Sequence, residues 1–199
     1  MGWVVLWALP GGWEHLELMA PDLDERVATR VRANAAGAGL GPELVDDLVA
    51  GQIHLAHHAR DAGVLVWAGF GEGAGTLDDP LSALSLTLAV GELPATGRRA
   101  EPGSGNAGTG SMPALTPLVL EDPELIAYVQ ERRSTVHLPG TDGDLAQFQA
   151  QVFLACIRAR LVLVLTVTTA DPAREDQARA VAREVATTIT TVEVETEAA

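Results

Sequence analysis

The alternation of apolar and polar positions is clearest over residues 146–189, where it predicts two strands followed by a helix. In residues 148–156 every second position is apolar, and the positions before and between them are mostly glutamine, which is the period of a half-buried strand. Residues 161–167 form an apolar, β-branched run that is typical of a central strand covered on both faces. Asp171-Pro172 predicts a helix start, and apolar residues then recur at helical spacing as far as Ile189. We expect this segment to contain the centre of the core.

The first half of the chain predicts an opening hairpin, two helices and two strands. The hairpin joins residues 3–9 to residues 13–18 through the turn Pro10-Gly11-Gly12. Amphipathic spacing predicts helices over residues 22–36 and 42–62. In the second helix, the predicted apolar face includes Leu44, Leu48, Leu55 and Ala56. Strands are expected at residues 64–70 and 84–90.

The middle of the chain has a different composition. Residues 91–117 are dense in Gly, Pro, Ser and Thr, and such a segment buries too little apolar surface to offset the entropy lost on ordering. We therefore expect a long mobile loop there, which is either functional or merely disordered. Asp122-Pro123 predicts a short helix reaching Gln130, and residues 133–138 predict a strand.

The order ββ-α-α-β-β-loop-(α)-β-β-β-α predicts an α+β fold. Strands that follow one another through short turns favour a mainly antiparallel β-sheet, with the α-helices packed against it. The expected organisation is a single domain over residues 1–192, followed by an acidic disordered tail at residues 193–199.

Charge and composition exclude several classes of function. The formal net charge of −14 argues against binding to nucleic acid or to an anionic membrane, because both depend on basic patches. All thirteen basic residues are arginine, which excludes Schiff-base chemistry and a P-loop lysine. The single cysteine, Cys156, lies on the apolar side of a predicted strand and is interpreted as a packing residue. With neither a signal-peptide pattern nor an apolar run of transmembrane length, the sequence predicts a cytoplasmic protein.

The second predicted helix carries the most suggestive chemical cluster, His54, His57, His58 and Asp61. His54 and His58 are one turn apart and share a face with Asp61, which is an acceptable spacing for metal ligands. His54, His57 and Asp61, with Asp46 and Asp47, also lie opposite the apolar stripe, as they would on the solvated face of any surface helix. Position 55 is leucine, so the HExxH zinc motif is absent. We assign no metal, and keep His54, His58 and Asp61 as the candidates for a metal or proton-sensing role.

The other sequence motifs lack the structural context that their chemistry requires. The glycines of residues 69–75 follow a strand, but the next residues do not predict the helix that a dinucleotide site requires. Residues 103–110 fail in the same way, and no Gly-x-Ser-x-Gly elbow occurs. The sequence therefore predicts no catalytic residues and no cofactor, and we expect a protein that is not an enzyme.

The C-terminal pattern resembles that of the LpqN-type actinobacterial proteins, whose fold is the PsbP-like α/β/α sandwich. The matching features are Gln147, Gln149, Leu163, Leu165, Thr168, Asp171-Pro172 and the helix that ends near Ile189. The resemblance implies a binding or accessory role near an envelope or secretion system, with no catalytic residues to carry over. This chain differs from those lipoproteins because it has no lipobox cysteine.

Two hypotheses follow. The leading one is a non-catalytic cytoplasmic domain that binds another protein through an exposed sheet edge, with a basic partner favoured by the acidic charge. The alternative is a small-molecule or metal-binding protein, or a minor enzyme, that uses the helix face of His54, His58 and Asp61. A structural role in a homo-oligomer cannot be separated from the first hypothesis by sequence, which leaves the oligomeric state open.

Overall fold

The computed structural model describes residues 2–36, 40–70, 84–93, 115–137 and 144–194. Within these residues the strands are β1 (Gly2–Leu6), β2 (Trp13–Glu17), β3 (Val64–Phe70), β4 (Leu84–Glu92), β5 (Thr116–Leu118), β6 (Leu125–His137), β7 (Asp144–Cys156), β8 (Leu161–Thr169) and β9 (Thr190–Val194). The helices are α1 (Leu23–Ala36), α2 (Pro42–Asp61) and α3 (Glu175–Thr188), and a 3-10 turn at Pro172–Arg174 leads into α3.

The main sheet is antiparallel and has seven strands in the order β2-β3-β4-β8-β7-β6-β5. A separate two-stranded ribbon pairs β1 with β9. The predicted α+β class, with helices packed against a mainly antiparallel sheet, is confirmed. β8 pairs along its whole length with both β4 and β7, as expected for the central strand.

One face of the sheet forms the main core together with α3. Leu163, Leu165 and Val167 of β8 are fully buried there, and α3 adds Ala182 and Val185. α3 begins after Asp171, whose carboxylate accepts a hydrogen bond from the backbone N–H of Ala173 at 2.9 Å. The side chains on the other face of β8 are only partly buried. The prediction that both faces of this strand are covered therefore holds fully for one face and only in part for the other.

The second face is covered at its β2–β3 end by α1 and α2. Leu16 of β2 is paired with Trp67 of β3, and both belong to a smaller core cluster with Val27 of α1 and Ala56 of α2. Farther along the same face, Gln151 of β7 donates to the hydroxyl of Thr166 on β8 at 3.3 Å. Helices therefore lie on both faces of the sheet, which is the layering of an α/β/α sandwich.

The predicted opening hairpin is wrong. β1 does not pair with β2; it pairs with β9, so that Gly2 lies opposite Val194 and Leu6 opposite Thr190. β2 is paired with β3. The turn between the two predicted strands exists, and Gly12 takes a positive φ of 86° there, but it redirects the chain and does not close a hairpin.

The predicted helix after Asp122-Pro123 is also wrong, because the chain forms β6 from Leu125 onward. Leu125, Ala127 and Val129 are buried at every second position, and this strand period decides the structure over the helix-start signal. Asp122 instead stabilises a turn, since its side chain accepts a hydrogen bond from the Glu124 N–H at 2.9 Å. The expected strand at residues 133–138 forms the later part of β6 as far as His137.

The disordered tail was expected to begin at residue 193, which is too early, because β9 continues to Val194. Thr190, Thr191, Val192 and Val194 are β-branched, and this preference with the pairing to β1 outweighs the acidic composition. The expected loop at residues 91–117 is likewise shorter at both ends, since β4 reaches Glu92 and β5 begins at Thr116. Residues 94–114 and 195–199 lie outside the described residues.

Candidate functional site: a groove at the sheet edge

Among the strands that the structure describes, β2 is terminal in the main sheet and pairs on one side only, with β3. A terminal antiparallel strand turns the N–H and C=O groups of every second residue away from its neighbour, where they can pair with another chain. β2 spans five residues, so its outer edge is short. The alternation along it places Glu14 and Leu16 on the α1 side, where Leu16 is buried and Glu14 is exposed, while His15, on the opposite side, is also exposed.

A groove of about 660 Å³ runs between β2 and α1. Its lining residues are Glu14, His15, Leu16, Asp22, Glu25, Arg26, Thr29, Arg30 and Ala33. α1 is held in this position by Leu23 and Val27, which are buried in the small core cluster below it. The outward side of α1 therefore becomes one wall of the groove, and the free edge of β2 becomes the other.

Ion pairs set the charge of the groove. Arg26 Nε donates to Asp22 Oδ1 at 2.8 Å, and this hydrogen bond holds the pKa of the Asp22 carboxyl below its usual range. The same contact raises the pKa of Arg26. Arg30 reaches from α1 to β2, where its Nη2 atom is 3.5 Å from both the backbone oxygen and the Oε2 atom of Glu14. Such contacts are at the outer limit of a hydrogen bond and contribute little.

This arrangement leaves the groove open to a cationic, extended chain. Both arginines of the lining are already next to a carboxylate, whereas Glu25 has no ion pair among the residues that the structure describes. An incoming strand could pair with the β2 edge and place a basic side chain near Glu25 and Glu14. The long Arg30 contact is the only described interaction that crosses from α1 to the β2 backbone in the groove, and it is weak enough to be displaced.

The structure places His54, His58 and Asp61 on the exposed surface of α2. Asp61 Oδ1 lies 3.8 Å from Arg60 Nε. Among the described residues, no group of three or more His, Cys, Asp or Glu side chains is arranged to hold a metal ion. The metal or proton-sensing role of His54, His58 and Asp61 therefore stays a prediction.

His57, which had been assigned to the same polar arc, makes the most specific contacts of the cluster. Its Nε2 atom is 2.6 Å from Asp24 Oδ1 on α1, and its Nδ1 atom is 2.7 Å from Arg60 Nη2. The contact with Asp24 fastens α2 to α1, and the contact with Arg60 lies within α2. Sequence spacing could not reveal them, because Asp24 lies on a different helix.

The remaining sequence candidates are dispersed. Cys156 is fully buried at the end of β7, with its Sγ atom 3.4 Å from the hydroxyl of Thr191. Gly69 lies in β3, while the following glycines at residues 71–75 and the glycine-rich residues 103–110 lie outside the described residues.

No helix in the described part of the chain combines the length and the apolar character needed to cross a membrane. No protein-family model matches the chain, and neither a curated protein nor a solved structure matches it.

Proposed function

We propose that this chain is a non-catalytic protein-binding domain that takes up an extended, basic segment of a partner protein as an additional strand on β2. The observation that carries the proposal is the position of the free β2 edge, which forms one wall of a groove whose other wall is α1. Main-chain hydrogen bonds to an exposed edge supply affinity in this mode of recognition, and pockets for alternate side chains supply specificity.

Charge supports a basic partner. The chain carries a formal net charge of −14, which would steer a cationic segment toward it at a rate that falls with added salt. Glu14 and Glu25 give the groove two carboxylates near opposite walls, and Glu25 lacks a described ion pair. Because β2 offers only five residues for pairing, the contact would be small and the complex transient.

A cytoplasmic location and an accessory role near an actinobacterial envelope or secretion system belong to the same proposal. They rest on the sequence pattern and on the resemblance in the C-terminal third. A strand-adding module suits an accessory role because it recognises a partner without a chemical step. The candidate metal ligands on α2 lie outside this groove, and no described geometry favours them.

The test uses a library of random peptides displayed on phage, selected against the whole protein. We expect the selected peptides to be rich in Lys and Arg, with these basic residues alternating with β-branched residues. Backbone NMR shifts on adding a selected peptide should then concentrate on β2 and α1. Peptides without basic residues, or shifts confined to another surface, would overturn the proposal.

Two charge-reversal variants test whether binding depends on the groove. Glu25→Arg places a positive charge in the groove and should weaken binding of the selected peptides. Glu184→Arg makes the same change on the exposed side of α3, away from the groove, and should leave binding unchanged. Equal losses in both variants would indicate only a general effect of net charge.

A further inference from the structure

The outer surface of α2 carries an apolar seam, which consists of Leu44, Leu48, Gly51 and Leu55. The side chains of Leu44 and Leu55 are 50% and 51% exposed, and Leu48 is half-buried. Their spacing of four, three and four residues keeps all four positions on one side of the helix. A single exposed leucine is ordinary on a protein surface, but a continuous seam of this spacing is the pattern of a helix that packs against another helix.

Among the residues that the structure describes, none packs this seam into the core. α2 packs against its own core through a neighbouring stripe, in which Val49 and Ala56 are buried and Ile53 and Ala59 are partly buried. A methyl group added at Gly51 would meet nothing within 4 Å, so the space in front of the seam is open. The seam therefore presents apolar surface with a gap at Gly51 that a bulky side chain could enter.

The seam is complementary to itself when two copies run antiparallel. If Leu44 lies opposite the partner's Leu55, the same register places Leu48 opposite the partner's Gly51, and two-fold symmetry repeats both contacts. Each large side chain then faces either another leucine or the gap at glycine. This alternation of large and small residues is what close helix packing requires.

The polar side chains beside the seam fit the same register. Asp47 and His54 lie along one border of the seam, and both are exposed. In the antiparallel pair, Asp47 of one copy comes next to His54 of the other, and the contact occurs twice. In a parallel pair this border would instead face the opposite border of the partner helix, so Asp47 of one copy and His54 of the other would lie apart.

We infer that α2 is a self-association surface, through which two copies of this chain form an antiparallel helix pair with Leu48 seated against the partner's Gly51. The seam belongs to α2 and shares no residue with the groove between β2 and α1. One helix pair gives an interface at the small end of specific interfaces, so the dimer is weak and depends on concentration.

Sedimentation equilibrium of the whole protein over a wide concentration range tests the inference. The mass should rise from monomer toward dimer. Leu55→Glu should weaken association by about tenfold or more, because it puts a carboxylate into the apolar seam. Ile157→Glu is the matched control, since Ile157 is 61% exposed in the turn between β7 and β8, and it should leave association unchanged. A wild-type protein that stays monomeric at the highest concentration would overturn the inference, as would equal effects of the two variants.

Two further variants test the register. Gly51→Leu extends the apolar seam but closes the gap, so it should weaken association if Leu48 packs there. A general hydrophobic surface would associate more strongly with this variant, and that result would contradict the proposed packing. His54→Asp should also weaken association, and the double variant Asp47→Arg, His54→Asp should restore it. Failure of this restoration would refute the antiparallel register.

Discussion

His57 of α2 and Asp24 of α1 form a hydrogen bond of 2.6 Å between Nε2 and Oδ1. The other ring nitrogen of His57, Nδ1, is 2.7 Å from the guanidinium of Arg60. A guanidinium has donors only, so Nδ1 must be the acceptor of this second contact. The proton of the ring is then on Nε2, which donates to the Asp24 carboxylate. The two helices are therefore joined by a neutral histidine in one defined tautomer.

This tautomer can be measured. Long-range ¹H–¹⁵N NMR at neutral pH should show a protonated Nε2 and an unprotonated Nδ1 for His57. His54 is exposed on the same helix and is the internal control, expected to exchange between its two tautomers. Arg60→Ala should only weaken the preference at His57, because Asp24 still accepts from Nε2, and Asp24→Ala with Arg60→Ala should remove it. A proton on Nδ1 in the wild-type protein would contradict the described contacts.

Two glycines should respond in opposite ways to the same substitution. Gly51 lies in the exposed surface of α2 with no atom near an added methyl group, so Gly51→Ala should raise the free energy of unfolding by about 0.5–1 kcal/mol. Gly63 follows α2 with a φ of +85°, and its added methyl carbon would lie 2.9 Å from the backbone oxygen of Val90. Gly63→Ala should therefore lower the free energy of unfolding by about 1–3 kcal/mol.

Urea denaturation of both variants at low protein concentration makes the comparison, because self-association is then negligible. Replacing glycine with alanine lowers the conformational entropy of the unfolded chain by the same amount at either position, so each variant is a control for the other. A stabilised Gly63→Ala variant would mean that the turn after α2 differs from the one described.

Glu175 at the start of α3 should contribute to stability in a pH-dependent way. The hydrogen bond from Arg133, with further attraction from Arg133 and Arg179, holds the pKa of Glu175 below its ordinary value of 4.5. The unfolded chain then binds a proton at a higher pH than the folded chain does, so stability rises with pH in this interval. The contribution is complete above pH 4.5 and is lost as the pH falls through the folded-state pKa.

The measurement compares wild type with Glu175→Gln by denaturation between neutral and strongly acidic pH. The wild-type protein should be the more stable at neutral pH, and the difference should shrink below pH 4.5. Added salt should reduce the difference at neutral pH, because the Arg133 side chain of this ion pair is 70% exposed to solvent. If the stability difference between the two proteins grew toward acidic pH, it would contradict a folded-state pKa of Glu175 that lies below the unfolded value.

The elements that sequence predicts well are those whose signals are local. β7, β8 and α3 follow from the alternation of residues 148–156, the apolar run after Leu161 and the cap at Asp171. Each of these signals is complete within a few residues of chain. α2 was also expected in nearly its observed length, since its apolar spacing is regular over five turns.

The sequence predictions were wrong where the structure of a segment depends on residues far away in the chain. The strand at Gly2–Leu6 contains nothing that identifies β9 as its neighbour, whereas the Pro-Gly-Gly turn suggests a nearby one. The cap signal at Asp122-Pro123 fits a turn as well as a helix, and the burial of Leu125 against the sheet decides between them. Local sequence specifies the period of an element more reliably than its partner.

The candidate surfaces were only partly predictable. An exposed sheet edge was expected, but the groove requires α1 to lie beside β2, which is a tertiary arrangement. Leu44 and Leu55 had been assigned to the buried face of α2, and the structure shows both about half exposed. The apolar arc of α2 is wider than the area that the sheet and α1 cover, so its margin becomes surface.

The ribbon of β1 and β9 has a consequence for the order of folding. It joins the first described strand to the last, and Thr188 at the end of α3 adds a hydrogen bond of 2.9 Å from the Ala8 N–H. Contacts between such distant parts of a chain form slowly, unless the residues between them are already compact. We therefore expect the central sheet and α3 to assemble before the two ends meet, with the ribbon forming late in folding and opening early in unfolding.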